Sequence, residues 1–216
     1  MLLFLFSLGE FGLMGTLPTQ IFALPSLSTI DFSINNLTGS LSKLLPTSNT
    51  SNAVSNQADS SQSSQSLKNL LLGGNSLTGS LPSEIAEFTN LQVLELYSNN
   101  LEGSIPSELA TLVNLTVLDL SGNSLEGVIP TELGLLANIR RLLLFNNTLS
   151  GDIPSELSNL SRLQILNLAK NNFTTQVVDD LCVFKSTIIG VDCGTVSCNC
   201  CSCCDDKYCE GDSVVL

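Results

Sequence analysis

The 216-residue sequence lacks histidine and tryptophan, and each absence removes possible functions. Without an imidazole there is no Ser-His-Asp or Cys-His catalysis, no His-ligated zinc and no ordinary proton shuttle near neutral pH. Aromatic residues make up only 5% of the chain. No apolar run reaches the ~18 residues that a membrane-spanning helix needs, so we expect no membrane span in this chain.

Basic residues are also scarce. Eight lysines and arginines stand against 20 aspartates and glutamates, which gives a formal net charge of −12. A chain this acidic is not expected to bind nucleic acid through a basic surface. Hydrophobic residues at 43% and charged residues at 13% nevertheless indicate that most of the chain folds around a core.

What the sequence does contain is a repeat with a period of 24 residues, typified by LTVLDLSGNSLEGVIP from Leu115. The shared pattern is LxxLxLxxNxLxGx(I/L)P, and units begin at Leu3, Leu27, Leu67, Leu91, Leu115, Ile139 and Leu163. Only the second and third units lie further apart, at 40 residues. The additional residues coincide with a Ser/Asn/Gln-rich stretch at about 47–65. This stretch has too few apolar residues to offset the conformational entropy that ordering it would cost, so we predict a disordered insertion there.

The pattern within each unit indicates a short strand followed by tight turns. The L-x-L segment alternates as a half-buried strand does. The asparagine after it recurs in register, and a buried amide can satisfy backbone groups of adjoining turns. We therefore predict a ladder formed by Asn35, Asn75, Asn99, Asn123, Asn147 and Asn171. The recurring glycine suits a positive-φ position, and the recurring proline suits the start of a helical turn.

Stacking is needed because no unit can bury its apolar side alone. The sequence predicts an α/β solenoid over residues 1–178, a right-handed coil with a parallel concave sheet of about seven short strands and short helical or 3-10 convex turns. The LxGxIP segment after the asparagine resembles the plant-specific class of leucine-rich repeats, carried by receptor-like kinase ectodomains and polygalacturonase-inhibiting proteins. This resemblance implies a noncatalytic extracellular or cell-surface module, without a cofactor, that binds a protein, peptide or cell-wall glycan. No kinase signature is present.

The first residues, MLLFLFSL, admit two interpretations. A signal peptide is disfavoured because a basic n-region and a small-residue cleavage site are missing. The same residues fall in repeat register, with Leu3, Leu8 and Leu13 at apolar positions. The first strand would then form an uncapped sheet edge. We therefore expect that the sequence is truncated and that an N-terminal cap precedes it in the whole protein.

Residues 179–216 form a C-terminal cap and a Cys-rich tail. They contain all eight cysteines: Cys182, Cys193, Cys198, Cys200, Cys201, Cys203, Cys204 and Cys209. An even number fits four disulfides, and Cys182–Cys193 is the candidate to close the last coil. The alternative is a thiolate cluster for zinc or copper(I), because C-x-C and C-C spacings recur. The tail also resembles the Cys-rich end of repeat proteins of this type in some algae.

Six N-x-S/T sequons occur, at Asn36, Asn49, Asn114, Asn146, Asn159 and Asn172. About four would occur by chance in a chain this rich in Asn, Ser and Thr, so the number says little about secretion. Asn36 and Asn172 directly follow a ladder asparagine, and we expect both to be exposed.

The outward strand positions supply the candidate binding residues. We expect the concave face to present Glu95, Tyr97, Asp119, Arg140, Arg141, Leu143, Phe145 and Asn167. Aromatic residues and arginine commonly anchor interfaces, and an exposed Leu143 and Phe145 flanked by charge favour a partner site. The alternative is an ordinary solvated face on which Arg140 and Arg141 form ion pairs with Asp119, each worth under about 1 kcal/mol.

Other functions remain open at this stage. Glu95 and Asp119 are convergent carboxylates, but an open face does not provide the substrate cleft of a glycosidase, so we expect no enzyme activity. A structural or surface-active protein, such as a cell-wall or ice-crystal binder, would use the small polar residues Thr78, Ser80, Ser104 and Ser150, an array that Glu102 and Glu126 interrupt. A metal-binding cysteine tail is the third possibility.

Overall fold

The computed structural model describes residues 5–24, 26–43, 66–174, 188–192 and 202–203. These residues form a stack of similar coils in which each unit adds a strand to a parallel main sheet. Within the described ranges the main sheet has nine strands, in this order: β1 (Leu5–Ser7), β3 (Thr29–Asp31), β5 (Asn69–Leu71), β7 (Val93–Glu95), β9 (Val117–Asp119), β11 (Arg141–Leu143), β13 (Ile165–Asn167), β15 (Ile188–Val191) and β16 (Ser202–Cys203). The seven predicted strands are confirmed, and the C-terminal region adds two.

The register of the main sheet follows the repeat. Ile30 pairs with Leu70, and Leu70 pairs with Leu94, so the central leucine position of every unit points into the core. These three side chains are at most 1% exposed. β3 pairs directly with β5, so the 40-residue step between these two units does not shift the register of the sheet. The predicted insertion at 47–65 itself lies outside the described residues.

A second parallel sheet, which the sequence did not lead us to expect, follows the ladder asparagines. In the described part of the chain it contains seven strands: β2 (Met14–Gly15), β4 (Asn36–Ser40), β6 (Ser76–Ser80), β8 (Asn100–Gly103), β10 (Ser124–Gly127), β12 (Thr148–Gly151) and β14 (Asn172–Phe173). Its leucines, such as Leu77 and Leu101, are fully buried. The recurring glycine has a positive φ, as predicted; at Gly79 φ is +80° and a Cβ would also meet Ser40 Oγ.

Short 3-10 helices complete the coils on the side opposite the main sheet. They span Thr19–Ala23, Leu41–Lys43, Ser83–Glu87, Ser107–Thr111, Thr131–Leu135 and Ser155–Asn159. Except for Leu41–Lys43, each directly follows a proline, whose carbonyl accepts a hydrogen bond in the first turn, as from Leu109 N to Pro106 O at 3.3 Å. Ile85, Leu109 and Leu133 project from these helices into the core. The predicted helical or 3-10 turns are therefore confirmed.

The asparagine ladder has a direction. Asn99 Oδ1 accepts a hydrogen bond from Leu77 N at 2.9 Å, and its Nδ2 donates to Leu72 O at 3.0 Å, both in the preceding unit. Nδ2 also donates to Leu96 O of its own unit at 3.1 Å. The equivalent bonds are made by Asn35, Asn75, Asn123, Asn147 and Asn171. Each asparagine thus ties its unit to the preceding one, so the predicted ladder is confirmed.

The two ends of the described stack differ. At the first unit, Phe11 stands at the ladder position and is 71% exposed, as is Met14 at 76%. At the last unit, the Asp192 carboxylate accepts from Lys170 N at 2.8 Å and from Asn171 N at 3.3 Å. In the preceding unit, backbone carbonyls accept the equivalent N–H groups. Asp192 therefore takes the place of these carbonyls in the turn ladder, a role that the sequence did not reveal.

Candidate functional site

The solvent-facing side of the main sheet, which we call the front face, is formed by the third, fifth and seventh residues of each repeat motif. The fifth residues lie side by side on successive strands: Asp31, Leu71, Glu95, Asp119, Leu143 and Asn167. The seventh residues lie two positions beyond the ends of these strands: Ser33, Gly73, Tyr97, Ser121, Phe145 and Ala169. Since neighbouring strands are about 4.8 Å apart, adjacent side chains in each row are in contact range. The predicted Glu95, Asp119, Leu143 and Asn167 are thereby brought into one row.

Tyr97 owes its position to a glycine. Its ring lies over Gly73 of the preceding unit, where a Cβ would overlap the ring and would stand 2.6 Å from Cζ. The backbone of Gly73 is not in the left-handed region, so the missing side chain makes room for the ring. Gly73 therefore belongs to the site. The sequence signal that could have identified it is its place at the seventh position of the repeat motif, the position that Tyr97 has in the next unit.

Two front-face aspartates are held by a serine two residues later. Asp31 Oδ1 accepts from Ser33 N at 3.0 Å and from Ser33 Oγ at 2.6 Å. Asp119 Oδ1 accepts from Ser121 N at 3.0 Å and from Ser121 Oγ at 2.6 Å. The sequence placed Asp31 in the same column as Asp119, but it was not among the candidate binding residues.

The two aspartates differ in their electrostatics. Burial disfavours the charged form of Asp31, but the hydrogen bonds from Ser33 and from Ser7 outweigh it and lower its pKa. At Asp119 burial prevails and raises the pKa, although Ser121 and the charge of Arg141 oppose the shift. The two similar hydrogen-bonded turns therefore hold carboxylates of different acidity.

Glu95 departs from this arrangement because Tyr97 occupies the place of the serine. No hydrogen bond is donated to its carboxylate from the described residues. Burial, followed by the charge of Asp119, raises the pKa of Glu95, and Arg141 opposes the shift. Burial also raises the pKa of Tyr97, and Glu95 is the strongest of the carboxylates that add to this effect. The phenol ring and the Glu95 carboxylate therefore lie in one strongly negative part of the front face.

The apolar part of the front face differs from expectation. Leu143 was expected to be exposed but is only 8% exposed, because it is enclosed in the row between Asp119 and Asn167. Phe145 is half-buried. Arg140 and Arg141 are both exposed, and Arg141 lies in β11 between Val117 and Ile165. Carboxylates thus dominate β3 to β9, whereas arginines and apolar side chains dominate β11.

This face is a continuous sheet surface. Glu95 and Asp119 are ladder neighbours on one sheet and not opposite walls of a cleft. In the part of the chain that the structure describes, no helix is long and apolar enough to cross a membrane. The same residues bring together no group of three or more Cys, Asp or Glu side chains suited to a metal ion. The Cys-tail predictions lie outside the described side chains.

The remaining surface predictions concern the sequons and the small polar array. Of the sequon asparagines, Asn36, Asn114, Asn146, Asn159 and Asn172 are described, and all are exposed. Asn49 lies outside the described residues. The array of Thr78, Ser80, Ser104 and Ser150 lies on or directly beside the second sheet, and all but the half-buried Ser150 are exposed.

Comparison with known proteins now decides the family. A leucine-rich repeat model matches residues 66–88, 138–160 and 162–184, and a model of two leucine-rich repeats matches residues 89–130, together just over half of the chain. The chain belongs to the leucine-rich repeat family. No curated protein matches it.

Several solved leucine-rich repeat structures resemble the protein along most of its length. The plant peptide hormone receptor RGFR1, in complex with RGF2, is 29% identical with a TM-score of 0.77 over 90% of this chain and 28% of its own. The Arabidopsis receptor kinase HAESA ectodomain, with an extended IDA peptide hormone, is 34% identical with a TM-score of 0.72 over 86% of this chain and 29% of its own. A plant ice-binding protein is 27% identical with a TM-score of 0.68 over 85% of this chain and 54% of its own. The protein therefore spans less than a third of these two receptors.

Proposed function

We propose that this leucine-rich repeat protein is a noncatalytic, extracellular recognition module that binds a peptide or protein on its front face. The observation that carries the proposal is the row Asp31, Leu71, Glu95, Asp119, Leu143 and Asn167, in which the side chains change from unit to unit on an otherwise repeated scaffold. A surface whose side chains differ from strand to strand can recognise successive residues of an extended ligand, because the strands present these side chains at regular intervals.

Similarity to receptor ectodomains supports the proposal. RGFR1 and HAESA are both described in complex with peptide hormones. We propose accordingly that this chain belongs to the 24-residue plant-specific class, functions outside the cell and carries N-linked glycans at some of its exposed sequons. A cell-wall glycan is the alternative ligand for the same face.

The test is selection of ligands from a displayed library of random linear peptides, using the whole chain. We expect the selected peptides to lose binding when Tyr97→Ala and Phe145→Ala are combined, because these side chains supply the aromatic contacts of the front face. The matched control, Thr38→Ala combined with Thr78→Ala on the second sheet, should bind as the wild type does. Selected peptides that bind the front-face double variant undiminished would refute the proposal.

A second candidate function has its own structural support. The second sheet presents the exposed side chains of Thr38, Thr78 and Ser80 on the paired strands β4 and β6, and a plant ice-binding protein has a similar fold. Glu102 and Glu126 interrupt this array, and both are exposed. If the sheet binds ice, replacing both glutamates with threonine should strengthen inhibition of ice recrystallisation. Absence of inhibition in both forms removes this candidate.

The Cys-rich tail carries the third candidate, a thiolate metal cluster. Elemental analysis of the purified protein, together with alkylation before and after reduction, decides it. Four disulfides predict no bound metal and thiols that react only after reduction. Stoichiometric zinc or copper with thiols that react after chelation would instead support the cluster.

A further inference from the structure

The most unusual position of the front face is the place where Tyr97 replaces a serine. Asp31 and Asp119 each receive two hydrogen bonds from their own units. Glu95 lies between them in the row, one residue beyond Leu71, and receives none from the described residues. No buried side-chain oxygen of the described residues lacks a partner, so the Glu95 oxygens are open to solvent, where a charged N–H donor of a ligand can reach them.

Beside Glu95, the ring of Tyr97 offers a flat surface. It lies over Gly73 and not against a bulky side chain, and Tyr97 is only half-buried. An aromatic face attracts a cation placed within about 6 Å of the ring centroid. The carboxylates of Glu95, Asp119, Asp31 and Glu10 all act on this phenol, so the field around the ring is negative.

Among the described residues, basic side chains lie on both sides of this place, with Lys68 directly before β5, but none of them is among the charges that act on the Tyr97 phenol. Arg141 is in β11, two strands from β7, and Arg140 precedes it. A ligand side chain at Tyr97 therefore encounters net negative charge, and a basic side chain is the complementary one. Arginine or lysine also provides the N–H groups that Glu95 lacks, and arginine can donate two parallel hydrogen bonds to one carboxylate.

We propose that the front face docks a peptide through one basic side chain, whose cationic group lies on the ring of Tyr97 and donates hydrogen bonds to Glu95. This inference rests on the proposed function and specifies the ligand chemistry of the same face. The half-buried Phe145, two strands further along the sheet, then receives an apolar residue of the same peptide.

The sequence provides a spectroscopic probe for this site. The chain contains two tyrosines, Tyr97 and Tyr208, and no tryptophan. In a Tyr208→Phe variant, Tyr97 is therefore the sole source of tyrosine fluorescence. Peptides selected on the whole chain are titrated into this variant, and the change in Tyr97 emission reports occupancy of the proposed place directly.

The decisive experiment is a double-mutant cycle between Glu95 and the peptide. We expect selected peptides to be enriched in Arg or Lys, and Glu95→Gln to weaken an Arg-containing peptide roughly tenfold. Replacing that arginine with neutral citrulline should weaken binding to the wild type similarly and cause little further loss in Glu95→Gln. Gly73→Ala, which displaces the ring without changing the charge, should also weaken binding. Glu108→Gln removes an exposed glutamate on the convex side and serves as the control.

The outcomes separate this inference from the proposed function. The inference is wrong if the peptides that bind the front face are not enriched in Arg or Lys, or if the two losses of affinity in the cycle are additive. In either case the recognition function still stands. An unchanged Tyr97 emission on saturation with an Arg peptide would also overturn the inference. If no peptide depends on the front face, the proposed function fails, and the inference fails with it.

Discussion

From one unit to the next, the interior of the solenoid keeps its residues, whereas the front face changes them. The inward position of the main sheet is Leu70, Leu94, Leu118, Leu142 and Leu166 in successive units, each fully buried. One residue further along the chain, the front-face row reads Leu71, Glu95, Asp119, Leu143 and Asn167. Adjacent positions of the same strand therefore follow different requirements.

The difference shows which residues specify the fold and which are free to specify a ligand. Interior residues bond to or pack against both neighbouring units, so a substitution in one unit disturbs that unit and its two neighbours. Front-face residues contact their neighbours only in a surface row, and they can vary while the ladder hydrogen bonds of the backbone stay in place. Four pairs of substitutions test this division.

The interior should be the most sensitive. Leu118→Ala removes a fully buried side chain at the centre of the stack and should lower the free energy of unfolding by about 2–5 kcal/mol. Val117→Ala, on the same strand but half-exposed on the front face, should cost clearly less. Chemical denaturation of both variants measures the difference. Equal losses would mean that the two faces of β9 do not differ as proposed.

The asparagine ladder should come next. Asn99→Ala leaves the N–H of Leu77 without its acceptor and removes one of the two hydrogen bonds to Leu72 O, which keeps Asn75 Nδ2, and we expect a loss of about 1–3 kcal/mol. The exposed Asn100, directly after it, is the control, because Asn100→Ala removes the same amide without breaking the ladder. A thermal melt that Asn99→Ala leaves unchanged would contradict the structural role of the ladder.

Most of this interior could be predicted from the sequence because the pattern repeats. Seven units in register determine the strands of the main sheet, the ladder and the 3-10 turns. The second sheet was missed because its segments, such as Asn100–Gly103, contain a glycine and small polar residues, which local propensity assigns to turns. Its hydrogen bonds form between units, and only the stacking of the coils brings these segments together.

The site could be predicted less completely. The equivalent positions of the repeat identified the residues that share the front face. They did not show which of these side chains are buried, which accept hydrogen bonds and which have no hydrogen-bond partner among the described residues. Leu143 is covered because of its row neighbours, and the Tyr97 ring rests where it does because Gly73 lacks a side chain. Asp192 completes the ladder at a position where no repeat motif is recognisable. These properties depend on contacts across units, which a single unit of sequence does not contain.

The pH dependence of stability tests whether Glu95, on the front face, contributes to the fold. Burial and Asp119 raise the pKa of Glu95 above its usual 4.5, so the folded state binds this proton more tightly than the unfolded state. The stability from this group is fully present below pH 4.5 and is lost as pH rises through the raised pKa. Glu95→Gln should therefore stabilise the protein near neutral pH.

The measurement is the melting temperature of wild type and Glu95→Gln as a function of pH. The stability that the variant gains should shrink as pH falls towards 4.5, because the wild-type carboxyl is then protonated and neutral, as the Gln amide is at every pH. Glu108→Gln, on the exposed convex side, should change the melting temperature little. A variant less stable than the wild type at neutral pH would show that Glu95 contributes to the fold, and the division between interior and front face would fail there.

The second sheet should show the smallest effect. Thr78 is exposed and donates no hydrogen bond to the described residues, so Thr78→Ala should change the free energy of unfolding by less than about 0.5 kcal/mol. Thr148 occupies the same sheet, but its Oγ1 donates to Leu125 O of the preceding unit at 2.8 Å. Thr148→Ala should therefore cost more, by about 1 kcal/mol. Chemical denaturation of the unglycosylated variants separates them, and equal losses would show that the bond between units adds nothing. The expected difference would mean that a surface residue becomes structural when it bonds the neighbouring unit. The side chains of Glu95 and Tyr97 make no such hydrogen bond to the described residues, which supports our proposal that they contact a ligand.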